Sequence, residues 1–527
     1  MEHEIQDVLI IGTGIAGLSA AVTAAEAGLS VTVLSKDGDV SRNNTWWAQG
    51  GIVAEGIDDN PELLAKDIME AGSRINNVQA VNIVAQEGPE LVHELLINKA
   101  GVPFERGKDG NFDRTREGAH SLRRIFHVKD QTGRAIQEHL MAYAAGLKNI
   151  SFLPGMVAVD LITNTHHSTD PQQRYKKRKV LGAYVLDETS GEITPVFSPS
   201  VILATGGVGS LYLHTSNPAS ATGDGIAMAY RAGCEIINAE YIQFHPTTLY
   251  HRDAQRFLMT EALRGEGARL MNRRGEYFME RYQPELKDLA PRDEVARAIY
   301  NEMDSSTGFV YLDARNLKVD VQQRFPGIFH RCSELDMDIR SDLIPVVPAA
   351  HYFCGGIKVN SSGRTEIKNL YAVGESAGTG VHGANRLASV SLLEGLVFGV
   401  RAARSIIKHE AKLKSRLVNS IPEWKYPPRV VDFDPLLIKH DLQNIQSTMW
   451  NYVGILRTEK RLDRALSDLN YYTHRIERFY KEARAGKEII QLRNAVLSAT
   501  IIARAAQANT ESRGCHFREA PKSMNPG

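Results

Sequence analysis

Cysteine is scarce. The chain holds four in 527 residues, Cys234, Cys332, Cys354 and Cys515, with no CxxC or CxxxC spacing. The absence of such spacing speaks against a cysteine-based zinc site, an iron–sulfur cluster held by this chain or a disulfide framework. No metal is expected, and the pattern fits a reducing compartment. Net charge is missing as well: Lys+Arg and Asp+Glu are 62 each. Without a basic face, a general nucleic-acid binder is not expected. Long apolar runs are also absent. The most apolar stretch, 8–34, is broken by Thr13, Ser19, Glu26 and several glycines, so it reads as strand, turn, helix and strand rather than as a membrane span. The acidic opening Met1-Glu-His-Glu-Ile-Gln-Asp7 has no positively charged n-region or cleavage site. The expectation is a cytoplasmic protein with no membrane partner.

With 43% hydrophobic and 24% charged residues, the composition is that of soluble globular domains, and the length calls for two to four of them. Val8-Leu-Ile-Ile11 reads as a buried parallel strand. Gly12-Thr-Gly14-Ile-Ala-Gly17 follows, then a small-residue helix over 18–27, then the strand Val31-Thr-Val-Leu34. This is a complete βαβ unit with the dinucleotide fingerprint in place. Residues 60–127 read as mainly helical with polar loops. Residues 151–200 alternate as strands, with a polar hairpin tip at 164–179. The basic run 174–179 reads as a solvated loop, and His166-His167 lack a third ligand nearby. A buried strand starts at Val201 and enters a Gly turn, and another at Asn369 returns to the first sheet. Between them, 241–347 is more polar and reads as an insertion. After Pro427, three stretches with apolar residues at spacings of three and four (Ile438 to Leu456, Leu462 to Phe479, Ile489 to Ala499) predict a bundle of amphipathic helices.

The glycines of Gly12-x-Gly14-x-x-Gly17 have separate jobs: a tight turn, close approach to a pyrophosphate, and packing of helix on strand. The helix N-terminus then offers its N–H groups to phosphate. The acid that usually holds a ribose hydroxyl at the end of the second strand is replaced here by Ser35-Lys36, which counts against a plain NAD site. Four more Gly-rich turns follow, at Trp47-Ala-Gln-Gly-Gly51, Thr205-Gly-Gly207, Thr222-Gly-Asp-Gly225 and Gly374-Glu-Ser-Ala-Gly378. Five close-approach sites suit a long cofactor wrapped by two sheets, and FAD fits better than NAD docked in one crevice. The predicted fold class is α/β: a Rossmann-like FAD-binding domain over 1–240 and 348–425, an inserted α+β capping domain over 241–347, and a C-terminal three-helix bundle within 426–527.

Further strings complete the pattern: Ala48-Gln-Gly-Gly-Ile52, Thr115-Arg-Glu-Gly-Ala-His120, Gln243-Phe-His-Pro-Thr247, Thr260-Glu-Ala-Leu-Arg264, Ala290-Pro-Arg-Asp293, Ala350-His351-Tyr352, Gly383-Ala-Asn-Arg-Leu-Ala-Ser389 with Ser391-Leu-Leu-Glu394, and Glu511-Ser-Arg-Gly514. Together they resemble the succinate dehydrogenase/fumarate reductase flavoprotein family from about residue 7 to residue 514. One departure is informative. Dehydrogenase and quinol-linked members carry a His that bonds covalently to FAD, and the matching residue here is Asn44. An amide cannot make that link, so the resemblance implies noncovalent FAD. The cofactor would be held by Gly12, Thr13, Gly14, Ile15, Ala16 and Gly17, by Lys36, and by Asn44, Thr45, Trp46, Trp47, Ala48, Gln49, Gly50 and Gly51. The implied contacts extend to Val157 and Ala158, to Asp224 and Glu375 in the Gly-rich turns, and to Ser391 and Leu392.

Within that family the likeness is to members that oxidise an amino acid. It implies that Arg386, His245, His351 and Thr260, with Glu261 adjoining, bind the carboxylates of a four-carbon substrate, and that Glu117 faces its ammonium group. A guanidinium matches a carboxylate plane with two parallel hydrogen bonds. Arg292 is implied in proton transfer, which a permanently charged group manages only with help from neighbouring carboxylates. The alternatives are ordinary: a turn cap for His245, a satisfied core residue for His351, a salt bridge to Asp293 or Glu294 for Arg292, and a surface pair with Arg114 or Arg116 for Glu117. The expected reaction is oxidation of L-aspartate to iminosuccinate, with O2 or fumarate as acceptor, at the start of de novo NAD biosynthesis. A functional link to quinolinate synthase is expected through that pathway. A soluble fumarate reductase of the same family is the other reading.

Overall fold

The computed structural model describes residues 5–39, 43–252, 257–303, 308–409, 411–427 and 434–519. Met1 to Glu4 of the acidic opening therefore lie outside the described residues. The central sheet has five parallel strands in the order Leu370–Ala372, Val201–Leu203, Val8–Ile11, Val31–Ser35 and Ile150–Pro154. Its middle strands are buried on both faces, as continuous apolar runs require. The Gly turn enforces the geometry of the first crossover. Gly12 has φ +117°, and a Cβ there would stand 2.0 Å from the Ala204 carbonyl oxygen. The helix Ile15–Glu26 then packs on the helix Val390–His409 at van der Waals distance: a Cβ on Gly399 would meet the Ala16 carbonyl oxygen at 2.4 Å. This contact brings the start of the Val390–His409 helix, with Ser391 and Leu392, to the Gly-rich turn.

A second layer is the antiparallel sheet Ile242–Leu249, Ile344–Phe353, Val310–Asp313, Arg269–Met271. The helix Arg292–Glu302 and shorter helices surround its own apolar core. The strand Ile344–Phe353 runs straight through position 347. A three-stranded antiparallel sheet, Met156–Thr163, Val180–Asp187 and Ile193–Phe197, borders the central one. The expected hairpin tip holds the short helix Asn164–His167 and a 3-10 turn, Pro171–Tyr175. The three C-terminal helices are Pro435–Tyr452, Glu459–Glu482 and Lys487–Ala508.

The region 60–127 departs from expectation. It is helical over Pro61–Ala71, Val78–Leu91 and the π-helical Val92–Lys99, but then extended. Arg114–Thr115 and Ile125–Phe126 join Ile52–Val53 in a small sheet. Strands of two residues are too short to display a period of two, yet this sheet sets the loop that carries Glu117. Among the described residues no helix is long and apolar enough to cross a membrane. Nor is there a cluster of three His, Cys, Asp or Glu side chains able to hold a metal.

Candidate active site

One cavity runs from the Gly12 turn, under the Asn43–Gly51 segment, to the inner face of the antiparallel sheet. At its nucleotide end the helix Ile15–Glu26 starts with no side-chain cap and no acid in its first turn, which leaves it suited to phosphate. Thr45 Oγ1 accepts from the Ile15 N–H at 3.0 Å, tying the two glycine segments together. Lys36 reaches across the cavity wall to the Asp224 carboxylate and the Ser220 carbonyl. Val157 and Ala158 line the same end. Further in, Asn44 Nδ2 donates to Glu375 Oε2 at 3.0 Å, and Glu375 Oε1 accepts from the Phe353 N–H at 2.9 Å. Burial pushes the Glu375 carboxyl up to about 7. Two buried amide oxygens on cavity residues, Asn44 Oδ1 and Gln49 Oε1, have no hydrogen-bond partner in the protein. Such acceptors suit the ring N–H of a flavin, so the residues present fit FAD.

Gly17 and Trp46 do not line the cavity. Gly17 works from behind: its Cβ would collide with the Gly12 carbonyl oxygen at 2.2 Å. Trp46 turns outward beneath Arg134, whose guanidinium carbon is 4.9 Å from a ring centroid. Trp47, 47% exposed, sits at the rim.

At the other end, adjacent strands supply two imidazoles, His245 and His351, with ring centroids 5.2 Å apart. His245 Nδ1 meets the carbonyl and N–H of Thr247 at 3.0 and 3.2 Å. His351 Nδ1 contacts Ser216 Oγ at 2.7 Å. Burial first, then the nearby arginines, holds both well below the ordinary imidazole range, so both are neutral near pH 7. Thr260 caps the short helix Glu261–Gly265. Arg292, in the first turn of the Arg292–Glu302 helix, pairs with Glu261 Oε2 at 2.6 Å; Asp293 pairs instead with Arg297. Burial works against the Glu261 carboxylate, but Arg292 and Arg264 pull its pKa to about 2. Its other oxygen accepts from the Gly118 N–H at 2.9 Å, which anchors the loop of Glu117. Glu117 is buried, 6% exposed, and accepts from Ser389 Oγ at 2.7 Å, so it is not a surface acid. Burial and the neighbouring Glu261 raise its pKa, with Arg292 opposing between them.

Arg386 lies over the Tyr352 ring at 4.6 Å and donates to Ser391 Oγ at 3.0 Å, while its Nε has no partner. Burial and Arg292 lower its pKa to about 10, and it stays cationic at neutral pH. The cavity thus brings together two guanidiniums, two neutral imidazoles, a hydroxyl and two carboxylates, Glu261 paired with Arg292 and Glu117 beside Ser389. This donor set is complementary to a small dicarboxylate that also carries a cation. Several participants carry no motif-assigned role of their own. Gln243 was within reach, since it lies two residues from His245 and strands repeat every two residues. Ser216 and Asn217 belong to no motif, and only the fold brings them to His351.

Comparison with known proteins gives concordant results. Residues 7–392 match the FAD binding domain model, and residues 442–525 match the fumarate reductase flavoprotein C-terminal model. L-aspartate oxidase of Pseudomonas aeruginosa is 43% identical, over 98% of this chain and 95% of the relative. L-aspartate oxidase of Acinetobacter baylyi is 44% identical, over 97% and 92%. Among solved structures, a chain of the Escherichia coli quinol fumarate reductase superposes with a TM-score of 0.88 at 26% identity, covering 100% of this chain and 94% of that one.

Proposed function

The chain belongs to the L-aspartate oxidase family of FAD-dependent oxidoreductases, and on that premise we propose how its own residues carry out the oxidation of L-aspartate to iminosuccinate. FAD, when bound, would supply the electron chemistry: a hydride acceptor for Cα, and a donor of the electron pair to O2, giving H2O2, or to fumarate, giving succinate. The reaction is the first step of de novo NAD biosynthesis. The protein contributes binding, orientation, proton handling and exclusion of water.

In this reading Arg386, with His245, His351 and Thr260, holds the two substrate carboxylates. The imidazoles act as neutral hydrogen-bonding groups, and the positive charge comes from the guanidiniums. Glu117 pairs with the substrate ammonium. In aspartate oxidation the amino group gives up a proton as the Cα hydride leaves, which closes the C=N bond of iminosuccinate; in the fumarate direction Arg292 delivers the proton to the carbon opposite the one that receives the hydride, and Glu261 supplies the carboxylate that a guanidinium needs for that task. Asn44 and Gln49 present acceptors to the cofactor ring, the Gly12–Gly17 turn receives the pyrophosphate, and the cofactor stays noncovalent. Residues 241–347, with their last strand continuing to Phe353, form a capping domain that closes over the substrate, between the two halves of the FAD domain, 1–240 and the rest of 348–425, with a helical domain over 426–527. The protein works in the cytoplasm, and its unstable product passes to quinolinate synthase.

The observation that carries the choice of an amino-acid substrate is Glu117: a buried carboxylate in the same cavity as Arg292 and Arg386 has an obvious partner in an ammonium group and none in succinate. Bleaching of the flavin absorbance by L-aspartate without oxygen tests it. No bleaching, with rapid oxidation of a reduced dye by fumarate, would favour a soluble fumarate reductase.

A further inference from the structure

The string Glu511-Ser-Arg-Gly514 and the residues after it do not line the cavity, yet they touch both elements that carry the site's arginines. Arg513 and His516 close a tight hairpin, exchanging backbone hydrogen bonds of 2.8 and 2.9 Å. At its tip Gly514 has φ +49°, and a Cβ there would stand 2.5 Å from the Ala384 carbonyl oxygen. The hairpin backbone therefore lies flat against the 383–389 loop. The Cys515 N–H donates to Ala384 O at 3.0 Å, and Cys515 Sγ to Asn385 Oδ1 at 3.2 Å. On the hairpin's other side, Arg297 Nη1 donates to the Gly514 carbonyl at 2.9 Å. Arg297 lies on the same helix as Arg292 and pairs with Asp293 at 2.9 Å. Asp293 in turn accepts from Asn385 Nδ2 at 2.9 Å. Since Asn385 precedes Arg386 and Asp293 follows Arg292, these contacts form a closed ring one residue away from each arginine.

The hairpin is moored independently. Arg457, fully buried between the first two C-terminal helices, donates to Glu240 O at 2.7 Å and to His516 Nδ1. His516 Nε2 reaches Asn509 O at 3.0 Å. The C-terminal helices thus have a rigid connection to the catalytic end of the molecule.

We propose that the Arg513–His516 hairpin is a positioning clasp that fixes Arg292 and Arg386 relative to one another, so that Arg297, Asn385 and Gly514 are positioning residues for the reaction. The proposal rests on the roles given above to Arg292 and Arg386. A clasp that sets the spacing of reacting groups acts chiefly on turnover, because small misplacements cost large factors in rate. The cofactor is held elsewhere and is retained.

The test uses the full-length, FAD-loaded protein with Arg297→Ala, Arg297→Lys and Gly514→Ala. The measurements are kcat and KM for L-aspartate, the Kd of succinate from the flavin absorbance change, and flavin content. Arg297→Ala and Gly514→Ala are expected to keep their flavin and lose at least tenfold in kcat, with a smaller change in succinate Kd; Arg297→Lys recovers most of the loss. Should Gly514→Ala fail to fold, the half-buried Arg297 pair still decides. If Arg297→Ala keeps kcat within twofold of the parent while Arg292→Lys is slow in fumarate reduction and Arg386→Leu is inactive with L-aspartate, the clasp alone is overturned. If the latter two turn over like the parent, the site reading falls and the clasp with it.

Discussion

Arg292 and Glu261 form a buried ion pair, 2.6 Å from Nε to Oε2, and Gln243 Oε1 takes a further hydrogen bond from Arg292 Nη1 at 3.3 Å. The same Gln243 donates through Nε2 to the Arg386 carbonyl at 2.8 Å. The guanidinium is thus oriented by a charge on one edge and an amide on the other. Arg292→Lys keeps the charge beside Glu261 but not this two-sided grip. It should lower the rate of fumarate reduction by roughly 10²–10⁴-fold, the range of positioned acid–base groups, with succinate affinity nearly unchanged. Stopped-flow oxidation of reduced enzyme by fumarate measures the first quantity and a flavin titration the second. An equal loss in both would make Arg292 a binding group.

In the proposed site Glu117 pairs with an ammonium group that L-aspartate has and fumarate lacks. Glu117→Gln keeps a partner for Ser389 and removes the charge. KM for L-aspartate should rise by about tenfold or more, since charge-assisted hydrogen bonds exceed neutral ones, while fumarate reduction is spared. Burial raises the Glu117 pKa above the ordinary carboxylate value, so the ammonium partner is lost earlier on acidification than a free carboxylate would be. The parent's KM for aspartate should climb as pH falls toward and through that raised value, and the Gln variant's should not. Parallel pH profiles for the two proteins would remove Glu117 from the substrate.

Local features were readable from the chain. Four apolar residues before Gly12 make a strand buried on both faces, and the apolar spacing after Pro427 makes three helices because both depend on neighbours in sequence. Long-range pairings were not. The strand with His245 lies beside the one with His351 through a register set about a hundred residues away, which no local period encodes. Trp46 shows the opposite failure. Its place in a cofactor string suggested contact, but in the turn it faces Arg134, and its neighbour Trp47 takes the rim. The motifs named Gln243, Asn385 and Tyr352 without giving them work, because their roles are hydrogen bonds to other side chains rather than to substrate.

Stability should weaken in acid through His120. Its Nε2 meets the Ala388 carbonyl at 3.0 Å, and burial, outweighing that contact, lowers its pKa to about 4. The unfolded chain, titrating near the free value of about 6.5, binds the proton more readily. The contribution is therefore complete above pH 6.5 and is lost as pH falls toward 4, by an amount on the order of 3 kcal/mol. Urea midpoints at pH 7 and pH 5 should differ more for the parent than for His120→Gln, which retains an amide donor and does not titrate. Identical differences would show that His120 is not the group responsible.

In the proposed site Asn44 faces the flavin without a covalent link. Its Nδ2 is engaged by Glu375, and its Oδ1 is an acceptor without a protein partner. Neither atom is a nucleophile able to bond a flavin methyl carbon. Retention therefore depends on hydrogen bonds and burial, and acid precipitation should leave the yellow colour in the supernatant and a colourless pellet. Asn44→Ala removes both functions and leaves the Glu375 carboxylate with the Phe353 N–H as its remaining donor. Losing a hydrogen bond beside a buried group costs about 1–3 kcal/mol, so FAD should bind roughly ten- to a hundredfold more weakly, as flavin fluorescence on dilution reports. Colour that stays in the pellet would mean a covalent link through another residue, and a parental FAD affinity in Asn44→Ala would mean that the orphaned oxygen does not face the ring.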